Sequence, residues 1–157
     1  MIVIKRLTIP NSDGATVEKT LRRCSLRRHT PLDLLSSANH SFDVSKLFLG
    51  YETDKKIQFT RLRGPIDRYF PKFILVFGKD DFTSYKIRYC FISLLGFLFL
   101  SLLALVVLAL AVTGIDFSGI LPTLILVAIF AGLSFLEYKA TTININLAIA
   151  RMKESGN

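Results

Sequence analysis

The chain has 157 residues, of which 51% are hydrophobic, and its formal net charge is +8. This hydrophobic fraction is high for a soluble domain of such length. The charge is uneven, because residues 1–89 hold 17 of the 20 lysines and arginines and 9 of the 12 acidic residues. A basic first part therefore precedes an apolar second part. Cys24 and Cys90 are too few for a disulfide framework, which excludes the small disulfide-rich secreted class.

The first predicted elements are a strand at 2–9 and a basic amphipathic helix at 16–28. Apolar residues recur in this helix at the spacing of one helical face, with lysines and arginines elsewhere; they are Val17, Leu21 and Cys24. Residues 30–35 begin with Thr-Pro, which is typical of a helix N-cap followed by proline in the first turn. A short second helix is therefore predicted there.

Four strands are predicted next, at 45–51, 56–63, 72–77 and 82–89. The segment 72–77 is apolar on both faces, as in a covered central strand, whereas 82–89 alternates polar and apolar residues. We expect an antiparallel meander sheet with one or two covering helices. Residues 1–88 are thus predicted to form a small, basic α+β domain.

Two uncharged runs follow, at 90–112 and 117–136. As helices they would be about 34 and 30 Å long, enough to cross a bilayer. A soluble core is a poor alternative, since the rest of the chain is too short to cover two helices that are apolar all round. A cleaved signal peptide is excluded, because the first run begins near residue 90. A transmembrane helical hairpin is therefore predicted over 89–137.

The connection 113–118 is short, so the two helices must be antiparallel, and it contains no lysine or arginine. Basic residues flank the hairpin on its other side, and the positive-inside rule then places both termini in the cytoplasm. Residues 138–157 are expected to continue as a cytoplasmic helix packed on the sheet domain, although their alternation also fits a strand. Aromatic and basic residues beside the two spans are expected to be interfacial anchors: Tyr85, Lys86, Arg88, Tyr89, Tyr138 and Lys139.

Ala128 and Gly132 form a small-xxx-small pair, which lets another helix approach closely, and the first helix is the expected partner. A homo-oligomer is the alternative. Neither span has an ionisable residue in its interior, which argues against a proton relay, ion coupling, charged-substrate transport or a channel.

No catalytic, metal-ligating or cofactor-binding motif is present, and we predict none of these sites. The residues with an expected partner are four arginines of the predicted helix 16–28: Arg22, Arg23, Arg27 and Arg28. Near an anionic leaflet, each basic side chain contributes about 1 kcal/mol of attraction. An acidic protein is an alternative partner, and a solvated helix face needs none. Nucleic acid is not expected, because no aromatic residues are interleaved with these arginines.

Several residues in this order resemble those of small uncharacterised bacterial membrane proteins that combine two transmembrane helices with a β-rich cytoplasmic region. They are Phe48-Leu49-Gly50, Phe59, Pro71, Gly78 and Tyr85-Lys86-Ile87-Arg88, ahead of the two apolar runs. The resemblance covers about residues 45–150. It implies this architecture and a bacterial inner-membrane location, and it implies no activity.

The first functional hypothesis is a non-enzymatic, membrane-anchored binding or regulatory protein, whose partners are the bilayer and a protein. An immunity protein against a membrane-directed toxin is the second hypothesis, since such a role needs no active site. A lipid enzyme at the membrane interface is the third, and the Tyr, Lys and Arg residues of 85–89 would be its polar groups.

Overall fold

A computed structural model of the chain describes residues 3–9, 13–33, 46–64, 67, 70–112 and 120–155. Within these residues, the secondary structure comprises β1 (Val3–Thr8), α1 (Gly14–Arg23), β2 (Ser25–Arg28), β3 (Phe48–Glu52), β4 (Lys56–Arg61), β5 (Phe73–Gly78), β6 (Ser84–Tyr89), α2 (Phe91–Val112) and α3 (Ile120–Ser155). The result is a six-stranded sheet with one short helix, followed by two long apolar helices.

The strands lie in the order β1-β6-β5-β4-β3-β2. The predicted meander is confirmed from β3 to β6, where every pair is antiparallel. The edges differ from a simple meander. β1 pairs with β6, the last strand, whereas β2 pairs with β3 in parallel. The sheet is therefore mixed. A parallel pair requires a long crossover between its strands, and residues 29–47 provide that length.

The predicted helix at 16–28 is wrong in its second half. α1 ends at Arg23, where the Ser25 hydroxyl donates a hydrogen bond to the Arg22 carbonyl (3.1 Å). The Cys24 carbonyl accepts hydrogen bonds from the backbone N–H groups of Leu47 (2.8 Å) and Phe48 (3.1 Å). Pairing with β3 thus outweighs the local helical pattern, as tertiary contacts often do.

The predicted short helix at 30–35 is not present in its described part. Leu32 and Asp33 lie in a turn, and residues 34–35 lie outside the described part of the chain. Leu32 is fully buried. Its side chain packs with Leu49, Ile74 and Val76 on one face of the sheet.

The larger core lies on the opposite face of the sheet, beneath α1 and the second half of α3. Aromatic rings form its centre: Phe59 contacts Phe77 edge-on at 5.7 Å between ring centroids, and Phe77 stacks on Tyr85 at 5.3 Å. Val17 and Leu21 of α1 are each 1% exposed. The amphipathic pattern of residues 16–23 was therefore correctly interpreted as a helix that covers the sheet.

A single residue, Cys90, separates the end of β6 from the start of α2, so the sheet leads directly into the helix pair. α2 and α3 are antiparallel and in contact, with the rings of Phe97 and Phe130 at 6.0 Å. Both helices are long and apolar enough to cross a membrane by length and composition. The predicted first helix is confirmed to within one residue. The second run is confirmed as helical from Ile120 onward, and residues 117–119 lie outside the described part.

α3 does not end with its apolar run but continues through Ser155 as a single helix of 36 residues. Its second half packs on the sheet, where Ile145 is 1% exposed and Ala148 is fully buried. The predicted helix after residue 138, and its packing on the sheet domain, are confirmed. The sheet domain is thus completed by residues that follow the apolar helices.

Candidate functional site

Charged side chains gather where the sheet meets α2 and α3. They come from the turn after β2, the end of β4, the start of β5, the end of β6 and the middle of α3. We call this set the junction cluster: Asp33, Arg61, Arg63, Lys72, Arg88 and Glu137. Buried charges are costly unless they are paired, so their partners determine what the cluster does.

Glu137 is the centre of the first half of the cluster. Its side chain is 1% exposed, and Arg61 and Arg63 bind its two carboxylate oxygens. Arg61 Nη2 lies 2.6 Å from Oε2, and Arg63 Nη2 lies 2.9 Å from Oε1. Charge-assisted bonds of this kind are the strongest hydrogen bonds in proteins. They fasten α3 to the sheet at the point where its apolar run ends.

The two arginines differ in their other partners. Arg63 also donates hydrogen bonds to the carbonyl oxygens of Phe70 and Pro71, each at 2.8 Å, and burial lowers its pKa. Arg61 pairs with Glu137 and also with Asp67, whose Oδ2 lies 2.9 Å from Arg61 Nη1. Burial opposes the charged form of Arg61, but these two carboxylates outweigh burial and raise its pKa. Arginine remains charged throughout the accessible pH range in either case.

Asp33 organises the second half of the cluster, on the other face of the sheet. Its oxygens accept two hydrogen bonds from Arg88, at 2.8 and 2.6 Å. Asp33 Oδ1 also accepts the backbone N–H of Phe91 at 2.9 Å, and Phe91 is the first residue of α2. A carboxylate at a helix N-terminus satisfies a free amide and is stabilised by the helix dipole. Asp33 therefore fixes the start of α2 to β6.

Lys72 is buried beside this pair and is 5% exposed. Its Nζ donates a hydrogen bond to the carbonyl oxygen of Leu32 at 2.6 Å, and burial lowers its pKa. The backbone of the same residue accepts a hydrogen bond from the Cys90 N–H (2.8 Å) and donates one to Ser93 Oγ (2.7 Å). Lys72 thereby links the 32–33 turn, β5 and the first turn of α2.

We expect the Asp33–Arg88 pair to stabilise the fold above the normal aspartate pKa of 3.8 and to lose that effect below it. The hydrogen bonds from Arg88, assisted by the Phe91 amide, lower the pKa of Asp33, so the folded state holds the ionised form. Asp33→Asn should cost about 1 kcal/mol near neutral pH, allowing for the partial exposure of Asp33.

The measurement is the difference in unfolding free energy between Asp33→Asn and the unmodified chain as a function of pH. The difference should shrink as the pH falls through the lowered pKa of Asp33. Other titrating groups are common to both proteins and cancel. A difference that stays constant down to about pH 2 would contradict the assignment.

The four arginines expected to share one helix face do not do so. Arg22 and Arg23 end α1, whereas Arg27 and Arg28 lie on β2. Arg22 pairs with Glu18 (2.8 Å) and Glu52 (2.9 Å). The hydrogen bonds from Arg22, and then from Lys79, lower the pKa of Glu52 to about 2. The expected cluster is therefore divided between a helix end and an edge strand.

Strand register also shows how far Arg27 and Arg28 are from the helices. Successive pairs across the sheet place Arg27 level with Ile87 and Arg28 level with Lys86. Tyr89 is the last residue of β6, so the two arginines are two and three residues away from the end of that strand. At 3.3 Å per residue these separations are about 7 and 10 Å.

The expected interfacial anchors occupy different environments. Tyr85 is 5% exposed and stacks on Phe77 in the core, where burial raises its pKa. Arg88 is also 5% exposed and belongs to the junction cluster. Both expected anchors therefore lie inside the fold, and strand alternation alone does not reveal that both side chains are covered.

The remaining expected anchors are more exposed. Tyr89 and Tyr138 are half-buried, and both rings lie against Phe73, at 4.7 and 6.5 Å between centroids. Lys86 is half-buried. Lys139 is exposed, and its Nζ lies 4.8 Å from the centre of the Phe135 ring.

Ala128 and Gly132 are both exposed on α3, and a Cβ added to Gly132 would have no atom within 4 Å. They do not face α2, contrary to expectation. Gly96 of α2 does face α3, and a Cβ added there would be in ordinary van der Waals contact with the Phe130 ring, at 4.0 Å. Farther from the sheet, the helices enclose a groove of about 430 Å³, lined mainly by aliphatic side chains together with Ser101 and Thr123.

The described residues contain no group of three or more histidine, cysteine, aspartate or glutamate side chains placed to bind a metal ion. Sequence analysis missed the junction cluster. Two signals for it were present: Arg61 and Arg63 alternate in the predicted strand 56–63, and Glu137 is the first charge after the second apolar run. No protein-family model, curated protein or solved structure matches the chain.

Proposed function

We propose that the chain is an integral membrane protein, in which α2 and the first half of α3 cross a bilayer and hold the sheet domain at its cytoplasmic face. The observation that carries this proposal is the exposed apolar surface of the helix pair. In the most apolar stretch of α2, 0% of the residues are buried, and in that of α3, 17%. Contiguous apolar patches of this extent are rare on soluble monomers, and lipid chains would cover them.

The charge distribution supports the orientation. Cations flank the helix pair at the sheet end, before α2 and after the apolar half of α3, and the connection 113–118 has none. The positive-inside rule then assigns the sheet end to the cytoplasm. The junction cluster would lie at the membrane surface, where Glu137 and its arginine partners mark the end of the apolar half of α3.

We propose further that the domain acts by binding and not by catalysis. A general acid or base must come within hydrogen-bond reach of its substrate. Glu137 is 1% exposed and both of its oxygens are bound by arginine, while Asp33 is bound by Arg88 and the amide of α2. These bonds position helices against the sheet. They support a domain whose rigid surface, rather than a reactive group, meets the partner.

The test combines extraction with labelling in bacterial cells. The chain should remain in the membrane fraction after alkaline carbonate and be released by detergent. Single cysteines introduced by Ser118→Cys, between the helices, and Asp54→Cys, in the exposed β3–β4 turn, report the orientation. A membrane-impermeant maleimide should label the first in intact cells and the second after permeabilisation alone.

The unmodified chain is the matched control, since its two cysteines are both buried and should react slowly with the reagent. Release by carbonate would contradict membrane insertion. Labelling of both introduced cysteines in intact cells, or the reverse order of labelling, would contradict the orientation.

A further inference from the structure

Exposed and half-buried cations lie at the same end of the sheet as the junction cluster. We call them the junction rim: Arg23, Lys46 and Lys139. Arg23 is the last residue of α1, and its carbonyl oxygen accepts a hydrogen bond from Lys46 Nζ at 2.6 Å. Lys139 follows Glu137 by two residues on α3. Three separate segments of the chain thus bring positive charge to one end of the domain.

Backbone hydrogen bonds show that this end is level with the start of α2. The Leu47 N–H donates a hydrogen bond to the Cys24 carbonyl (2.8 Å), and the Leu47 carbonyl accepts one from the Leu62 N–H (2.9 Å). These bonds align the residues beside Arg23 and Lys46 with the end of β4. Lys72 bonds to Cys90, the residue before α2, at 2.8 Å. Glu137 contacts the same end of β4 through Arg61. The rim therefore lies level with the place where the sheet gives way to the apolar helices.

The acids of the junction do not neutralise the rim. Asp33, Asp67 and Glu137 pair with arginines of the cluster. Among the described residues, no ion pair includes the side chain of Arg23 or Lys139. Both side chains are exposed, so both are accessible to an external anion.

We propose that the junction rim binds the headgroups of anionic phospholipids. The inference rests on the proposed function, because a bilayer around α2 and α3 would place phosphates at the level of the rim. The charges that matter are then those at this end of the sheet. Of the arginine quartet singled out from the sequence, Arg23 alone belongs to the rim. A lipid surface, rather than an acidic protein, is favoured because the rim lies at the level of the base of the helix pair, where the exposed apolar surface begins.

The opposite end of the sheet provides an internal comparison. Lys55 and Lys56 are exposed there, and Lys56 begins β4, five residues before Arg61. Five residues of strand span about 16 Å. This exceeds the screening length of about 8 Å at physiological ionic strength, so these lysines should be only weakly attracted to the same headgroups.

The experiment uses the full chain purified in neutral detergent and mixed with equal amounts of phosphatidylglycerol and phosphatidylcholine. Native mass spectrometry gives the ratio of their association constants. The unmodified chain should prefer phosphatidylglycerol. Each rim charge removed should reduce the preference about five-fold, so Arg23→Gln with Lys139→Gln should reduce it roughly 25-fold.

The matched control is Lys55→Gln with Lys56→Gln, which removes the same charge from the far end and should change the preference less than about two-fold. Equal losses in both double variants would overturn the proposal, since net charge alone would then explain the effect. An unchanged lipid preference in the rim variant would also overturn it. If that variant kept its lipid preference but lost crosslinking to an acidic protein, the rim would bind that protein and not lipid.

Salt provides a second measurement on the unmodified chain, independent of how any variant folds. Raising the ionic strength from 0.1 to 1 M shortens the screening length from about 10 to 3 Å and should abolish most of the preference. A preference that does not depend on salt overturns the proposal. Carbonate extraction tests membrane insertion separately from lipid preference. A chain that stays in the membrane but shows no preference for phosphatidylglycerol would refute lipid binding by the rim and leave the proposed function standing.

Discussion

Glu137→Gln is expected to lower the unfolding free energy by about 3–5 kcal/mol, the usual cost of removing one partner from a buried ion pair. Glutamine keeps the size and one acceptor oxygen of the side chain but removes the charge. Arg63, with a side chain 1% exposed, would then be buried without its anion, and Arg61, 13% exposed, would keep only Asp67. The loss should be concentrated at the contact of α3 with the sheet.

The measurement is unfolding in mixed micelles with increasing dodecyl sulfate, followed by far-ultraviolet circular dichroism. Glu18→Gln is the matched control, because it removes a carboxylate from the exposed pair with Arg22 on α1. Pairs of this kind contribute about 0.3–0.5 kcal/mol. Similar stabilities for the two variants would show that the Glu137 contacts do not hold α3 to the sheet.

Ile145→Ala is expected to lower the unfolding free energy by about 2–5 kcal/mol, because it deletes buried methyl groups and leaves a cavity between α3 and the sheet. Ile145 is 1% exposed within the core on this face. The neighbouring Ile143→Ala makes the same chemical change on the same helix, at a residue that is 55% exposed. Its expected cost is less than about 0.5 kcal/mol.

The ratio of the two effects is informative because helix propensity changes equally in both variants. Equal small effects would mean that the second half of α3 does not pack on the sheet in solution. Equal large effects would mean that residue 143 also contacts something, contrary to its exposure.

The elements predicted well from the sequence are those specified by local pattern. Strands β3 to β6 follow from alternation and polar turns, and α2 from an uncharged run of sufficient length. Pro122 is the third residue of α3, in the first turn, where a missing backbone N–H is tolerated. In each case the signal lies within the element itself, so no knowledge of distant contacts is needed.

The errors share one physical cause, which is pairing between distant segments. β2 exists because Ser25–Arg28 align with Phe48–Tyr51, and no local pattern reveals that partner. β1 joins β6 across almost the whole domain. Arg61 and Glu137 are separated by 76 residues. Their chemistry could be recognised from the sequence, but their proximity depends on how α3 returns to the sheet.

The unbroken course of α3 has a mechanical consequence. Its 36 residues form a rod about 54 Å long, of which the first part contacts α2 and the last part lies on the sheet. A continuous helix resists both stretching and torsion, so a rotation or axial displacement imposed on one end reaches the other. Glu137 sits between the two ends, and its arginine clamp ties the rod to the end of β4. Motion of the apolar pair would therefore reach the sheet through α3, first at the Glu137 carboxylate and then at the buried contacts of Ile145 and Ala148.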